Sequence, residues 1–320
     1  VTGYRGGAPV ARVIRSGFVE GWHRGSVVVL DPAGSVVAAT GDVSGPLFPR
    51  SCNKPMQALG MLGAGLDLAD PADLALVCAS HSGEPFHVDR VRALLARGGF
   101  GEDDLACPPD LPLDEGARSA HLRAGGVAAR VLMNCSGKHA GMLLTCRAAG
   151  WPVAGYTAGD HPLQRAVRAA VERACAEPVA AAGVDGCGAP VLAVSLAGLA
   201  AAFLRLVSAG PGTPARRVAD AMRAHPLLVS GTGREDARLM TAVPGALSKV
   251  GAEGVHALAV PGVGAVALKI DDGAARARLP VLARALGLLG VRGTELDELA
   301  ASPLLGGGRV VGRVVAVAPE

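Results

Sequence analysis

An α+β fold is predicted by the order of patterns along the chain, with an antiparallel sheet drawn from both chain ends, flanking helices and an all-helical region inserted between. Three observations carry this reading. A β-hairpin pattern lies near the start. A mainly helical block runs from Lys54 to Val207. Strand patterns then return, followed by a helix and a last strand.

The hairpin is Ser26–Leu30 and Ser35–Ala39 around Asp31-Pro32-Ala33-Gly34. Pro32 presets φ for the first central turn position and Gly34 closes the turn. Pro85 to Arg97 and Pro162 to Ala176 have helical apolar spacing, and Pro214 to Ala224 is a shorter helix of the same kind. The most apolar window, Ala189 to Val207, reads as a buried core helix. Ser195, Gly198 and Arg205 interrupt it short of the roughly 20 apolar residues that a membrane span needs. Strands follow at Ala246–Val250, Val255–Val260 and Ala265–Ile270, then a helix at Ala274–Leu289 and a strand at Arg309–Val317. The sheet region is assigned to residues 1–52 and 226–320, the helical region to 53–225, together one catalytic unit.

Composition narrows the function. Half of the 320 residues are hydrophobic, which excludes intrinsic disorder. A net charge of +3 with 3% aromatic residues argues against a nucleic-acid partner. No apolar leader pattern opens the sequence, and the odd count of seven cysteines lacks paired spacing. Reduced thiols in a cytoplasm are the expectation, with no membrane partner.

The scarce residues point to the chemistry. Of 31 basic residues only Lys54, Lys138, Lys249 and Lys269 are lysines, and the two asparagines, Asn53 and Asn134, each lie within four residues of one. Where Arg serves elsewhere, a retained Lys supplies a compact amine able to lose its proton. Arg50-Ser51-Cys52-Asn53-Lys54-Pro55 opens a helix, since Pro is tolerated in a first turn. Ser51 and Lys54 then share one face at the positive helix end. A serine hydroxyl needs an adjacent base, and a desolvated lysine can be one. Read without that chemistry, the same residues are a helix cap and an exposed lysine. Ser248-Lys249-Val250-Gly251 lies on a returning strand, the order of parts found in serine β-lactamases. Ala79-Ser80-His81-Ser82-Gly83-Glu84-Pro85 adds hydroxyls, an imidazole and a carboxylate, or merely caps the next helix.

Together these segments resemble the third structural class of L-asparaginases, the asparaginase II family. Further matching segments are Gly17–Gly25, Asn134–His139, Asp185–Gly188, Ser230–Arg234 and Lys249–Gly254, so the resemblance spans nearly the whole chain in order. Gly21 departs from the small hydroxylated residue expected after Glu20.

The resemblance implies a serine β-lactamase/glutaminase-like fold and hydrolysis of L-asparagine to L-aspartate and ammonia. It implies Ser51 with Lys54 as one catalytic pair and Ser80, preferred over Ser82, with Lys249 as the other. It also implies a zinc ion held by Cys135, Lys138 and Cys187 near Asp185, and a homodimer. Arg50 or Arg234 would bind the substrate carboxylate, with His81 and Asp185 in the substrate site. The backbone N–H groups of Ser51 and Ala252 would hold the oxyanion. A glutaminase or β-lactam hydrolase on the same framework, or a non-catalytic amino-acid-binding module, are the competing readings.

Overall fold

The computed structural model describes residues 3–317; positions 1, 2 and 318–320 of the sheet-region assignment lie outside the described residues. Eleven strands are described: β1 Ala8–Arg15, β2 Phe18–Leu30, β3 Val36–Thr40, β4 Pro46–Leu47, β5 Ala181–Val184, β6 Pro190–Ser195, β7 Leu247–Val250, β8 Val255–Val260, β9 Gly264–Ile270, β10 Ala301–Gly306 and β11 Arg309–Ala316. Eight form one antiparallel sheet in the order β10-β11-β1-β2-β9-β8-β7, with β3 also paired to β2. The two ends of the chain thus meet at the β1–β11 seam, Val13 opposite Val314.

Side chains alternate across these strands and divide the interior in two. Ala257, Ala259, Ala265 and Ala267 face the inserted helices, while Leu258, Val266, Leu268 and Ile270 face the C-terminal helix Ala275–Leu288. The alanine-lined face lets the buried helix Leu196–Ser208, with Phe203 fully inside, lie directly on β8 and β9.

The hairpin forms around Gly34, whose φ of +88° closes the turn onto the Asp31 carbonyl. The helices at Pro85–Arg97, Pro162–Cys175 and Pro214–Ala224 each begin with proline in the first turn, where no amide donor is needed. The apolar window from Ala189 is not one helix. It is strand β6 followed by the helix Leu196–Ser208, and β6 joins β5 and the earlier β4 in a small separate sheet. Ser195 marks the junction: its hydroxyl accepts the Gly198 N–H at 2.9 Å and so caps the helix. Uniform hydrophobicity hides a change from strand to helix when both are buried. No helix among the described residues is long and apolar enough to cross a membrane.

Phe203 is fully buried in the core that the helix shares with the sheet. Phe203→Ala is expected to destabilise the protein by about 3–5 kcal/mol, measured by chemical denaturation.

Candidate active site

Residues Arg50–Asn53 form one 3₁₀ turn, and an α-helix continues from Lys54 to Gly63 with Pro55 in its first turn. Arg50 holds a left-handed φ of +53°, and Glu253, in the turn between β7 and β8, holds +58°. Their side chains meet at 3.8 Å, and Arg50 also donates to Asp185 at 2.8 Å. Two non-glycine residues in this costly conformation, in contact, mark an imposed geometry. Gly251 explains how the turn reaches the sheet: a Cβ there would lie 2.5 Å from the Pro49 carbonyl oxygen. The Cys52 thiol then donates to the Lys249 carbonyl at 3.0 Å, fastening the turn to β7.

Lys54 is buried and directs its amine away from solvent. Nζ donates to the Ala79 carbonyl at 2.5 Å and to the Ser80 hydroxyl at 3.0 Å. No hydrogen bond joins it to Ser51 among the described residues. Ser51 is half-buried, whereas Ser80 is 7% exposed. Ser82 is turned elsewhere, donating to Glu84 Oε2 at 2.6 Å; the same carboxylate accepts the Thr232 N–H at 2.9 Å.

No hydrogen bond joins Ser80 to Lys249 among the described residues. Lys249, fully buried, donates to the Val250 carbonyl at 2.9 Å and lies 3.4 Å from Asp236 Oδ2. A buried carboxylate attracts an ammonium more strongly than a neutral hydroxyl does. Asp236 also accepts from the Ser248 hydroxyl at 2.8 Å and the Val250 N–H at 3.0 Å, and approaches His256 at 3.4 Å. It thereby satisfies edge strand β7 where no further strand pairs. Burial alone would raise the Asp236 pKa, but Lys249 and the hydrogen bonds hold it well below the ordinary carboxylate range. Burial pulls the Lys249 pKa down, with Lys54 adding and Asp236 opposing. Sequence reasoning missed Asp236, which stands outside the motifs, just past the Ser230–Arg234 segment.

His81 is not a substrate ligand here. Its ring is fully buried and both nitrogens are engaged: Nε2 with Ser136 Oγ at 2.8 Å, Nδ1 with the Gly83 N–H at 3.2 Å. Because Ser136 gives its own proton to the Val131 carbonyl, His81 donates from Nε2 and is neutral. Burial, with nearby His87, Lys54 and Arg234, keeps its pKa well below the usual value. The ring thus braces the loop that carries Ser80.

The two candidate arginines differ. Arg50 is committed to Asp185 and Glu253, whereas Arg234 forms no salt bridge among the described residues. Ala252 lies in the turn after β7 rather than on the strand, and its N–H makes no backbone hydrogen bond among the described residues. That leaves it free to donate outward.

Asp185 and Cys187 share the turn after β5, so the Arg50–Asp185 contact ties the Ser51 turn to the cysteine cluster. Lys138, buried, donates to Cys187 Sγ at 3.1 Å. Burial opposes its charge, but the Cys187 and Cys135 sulfurs outweigh burial and push its pKa up to about 12. Cys187 is held far below the ordinary thiol range, chiefly by Cys135, with Lys138 and His139 adding against the cost of burial, while the Cys135 thiol itself donates to the Asn134 side-chain oxygen at 2.9 Å. Among the described residues, no three His, Cys, Asp or Glu side chains are placed to hold a metal. A metal at this cluster would therefore count Lys138 as a donor. Two cysteine sulfurs and an amine, with Lys138 bonded to Cys187, suit a thiophilic ion such as zinc, provided the amine releases its proton.

Buried hydroxyls and amines clustered at the junction of a sheet edge and a helix mouth define a hydrolase-type site for a small molecule. The chain belongs to the L-asparaginase II family, whose profile matches residues 11–316. It is an asparaginase-like amidohydrolase with a small-molecule substrate. No individually curated protein matches it significantly. Among solved structures it resembles a β-lactamase from Mycobacterium bovis at 16% identity, covering 78% of this chain and 88% of that one, with a TM-score of 0.41. A putative β-lactamase from Bacteroides dorei is similar at 12% identity, 82% and 92% coverage and a TM-score of 0.44. A simvastatin synthase from Aspergillus terreus matches at 12% identity, 82% and 87% coverage and a TM-score of 0.36.

Asp236→Asn leaves the Lys249 ammonium without its counter-charge and is expected to cost about 3–5 kcal/mol. Because the folded-state pKa of Asp236 is depressed, its stabilisation is present above the unfolded carboxylate pKa and is lost as pH falls toward the folded value. Denaturation across acidic pH should therefore show a smaller acid-side loss in the variant than in the wild type.

Proposed function

We propose that the protein hydrolyses L-asparagine to L-aspartate and ammonia through an acyl-enzyme on Ser51. The observation that carries the reading is the Lys54 amine, buried yet met by two acceptors, the Ala79 carbonyl and the Ser80 hydroxyl. A neutral amine has two N–H donors and one lone pair. With both donors used, the lone pair is left to accept a proton from the Ser51 hydroxyl as a small turn of either side chain brings them together.

Ser51, at the open end of the helix, attacks the side-chain amide carbon while its proton passes to Lys54. That proton leaves with ammonia; water then attacks the β-aspartyl ester as Lys54 accepts a proton from it, and Lys54 returns that proton to Ser51 Oγ as the ester bond breaks and L-aspartate is released. Ser80, bonded to Lys54, holds the amine in place and offers a relay for the proton. Lys249, fixed by Asp236, contributes positive charge beside the site rather than a second base. The N–H groups of Ser51 and Ala252 face the developing oxyanion. Arg234, without a carboxylate of its own, binds the substrate α-carboxylate, and Asp185 holds Arg50 in its strained conformation. Cys135, Lys138 and Cys187 would hold zinc, which when bound supplies a positive centre that orients the polar groups of the substrate.

Ser51→Ala should reduce ammonia release from asparagine by on the order of 10⁴-fold. Lys54→Arg should fall comparably, since it keeps charge but cannot serve as base. Near-normal rates in either variant rule out this mechanism. Incubation with asparagine followed by rapid acid quench should show a mass increase on the Ser51 peptide, and equal or faster ammonia release from glutamine would reassign the substrate.

Arg234→Lys should raise KM roughly ten- to hundredfold with a smaller change in kcat, the loss expected when one charged hydrogen bond to a carboxylate is removed. An unchanged KM removes Arg234 from the carboxylate site.

A further inference from the structure

The loop that carries Ser80 is fastened to the segment before Arg234 by three hydrogen bonds. The Ser80 N–H donates to the Val229 carbonyl at 2.9 Å, and His87 Nε2 donates to the Leu227 carbonyl at 2.9 Å. The third bond uses a side chain. Glu84 Oε2 accepts the Thr232 N–H at 2.9 Å and the Ser82 hydroxyl at 2.6 Å. Ser82 is itself anchored, its carbonyl accepting the Asp114 N–H at 2.9 Å. Gly231 permits the approach. Its φ is +129°, and a Cβ there would collide with the Ser82 side chain and stand 2.8 Å from Glu84 Oε2.

Arg234 follows Thr232 by two residues, and its N–H closes the turn on the Gly231 carbonyl at 3.3 Å. On its other side, Asp236 receives the Ser248 hydroxyl and the Val250 N–H. Glu235, the next residue, is paired with Arg278. The backbone of Arg234 is therefore bracketed by two carboxylates, Glu84 through Thr232 and Asp236 through β7. All three acids are taken by other donors, and the Arg234 guanidinium forms no salt bridge among the described residues.

We propose that Glu84 is a positioning residue of the substrate site: with Ser82 it clasps the Gly231–Arg234 turn, and so sets where Arg234 presents its guanidinium to the carboxylate of an α-amino acid. The inference rests on the reading of Arg234 as the residue that binds that carboxylate. It gives the Ser80 loop a second duty, with Ser80 serving Lys54 and Glu84 serving the Arg234 turn. One loop then ties the reacting end of the substrate to its recognised end, and it explains why a glutamate and a glycine meet at a turn with no helix cap to make.

The test measures ammonia release from L-asparagine with the full chain, and L-aspartate binding by calorimetry alongside it. Glu84→Ala should raise KM about tenfold, the scale of a charge-assisted hydrogen bond lost, and weaken L-aspartate binding to match. Its kcat should change by less than about threefold, because the interaction serves substrate and transition state alike. Glu84→Gln, which keeps an acceptor oxygen, should recover part of the loss; a variant no better than alanine overturns the clasp. Combined with Arg234→Lys, Glu84→Ala should add little to KM, whereas multiplied effects show that it does not act through Arg234 and overturn the proposal. A packing role alone would lower the melting temperature and leave KM and L-aspartate affinity unmoved. If Arg234→Lys raises KM and Glu84→Ala does not, the clasp falls and the carboxylate reading stands. If Arg234→Lys leaves KM unchanged, or the wild type neither hydrolyses L-asparagine nor binds L-aspartate, both fall. Should Glu84→Ala fail to fold, Glu84→Asp, one methylene short of the Thr232 N–H, takes its place with the same expected rise in KM.

Discussion

Three lysine amines are enclosed in one protein interior, and the position of each is dictated by the few acceptors that can meet it there. Lys54, Lys138 and Lys249 are each no more than 1% exposed. An unpartnered ammonium at such a depth would be too costly to keep. Lys54 is received by a carbonyl and a hydroxyl, Lys249 by a carboxylate, and Lys138 by a sulfur. The three acceptors differ in charge, and so does the bias that each places on the amine it receives. At Lys249 burial disfavours the ammonium, and the Asp236 carboxylate beside it favours it. Beside the Cys187 sulfur, Lys138 is held charged. Lys54 alone of the three is received only by uncharged groups, a carbonyl and a hydroxyl.

Bringing these groups together requires backbones to approach more closely than side chains normally allow. Gly251 admits the Pro49 carbonyl, and Gly137 admits the Leu76 carbonyl to within 2.5 Å of where a Cβ would stand. The first contact presses the Ser51 turn onto the edge of the sheet. The second presses the helix bearing Lys138 onto the helix Pro71–Val77, whose continuation carries Ala79 and Ser80. Both close approaches therefore converge on the same small volume from opposite sides.

Much of the architecture was legible because proline and glycine punctuate it. The helices at Pro85, Pro162 and Pro214 begin where a missing amide is harmless, and the hairpin closes where glycine permits a positive φ. The Ala189–Val207 window was misread as helix because a buried strand and a buried helix share the same hydrophobicity; Ser195, read only as an interruption, was the signal of the boundary. The site followed the same rule. Residues inside compact motifs, such as Ser51, Lys54 and Lys138, were legible from residue type and spacing. Which hydroxyl meets which amine was not, because Lys54 reaches Ser80 across 26 positions and Lys249 reaches Asp236 across 13. Partner choice is set by packing, and a solitary aspartate carries no pattern that announces it.

The cysteine cluster and the helix mouth are mechanically one object. Asp185 and Cys187 lie in a single turn, with Asp185 holding Arg50 and Cys187 holding Lys138. Arg50 precedes Ser51 directly and is kept at a left-handed φ by contacts on both sides, Asp185 and Glu253. A shift of the Cys187 turn would therefore be passed through Asp185 to the backbone that presents Ser51, with no need for the intervening side chains to move. Because a left-handed arginine persists only while its surroundings impose it, loss of either contact would let residue 50 relax and turn the Ser51 hydroxyl away. The strain at Arg50 is thus the link by which a displacement of the sulfur–amine cluster would bear on the backbone that presents Ser51.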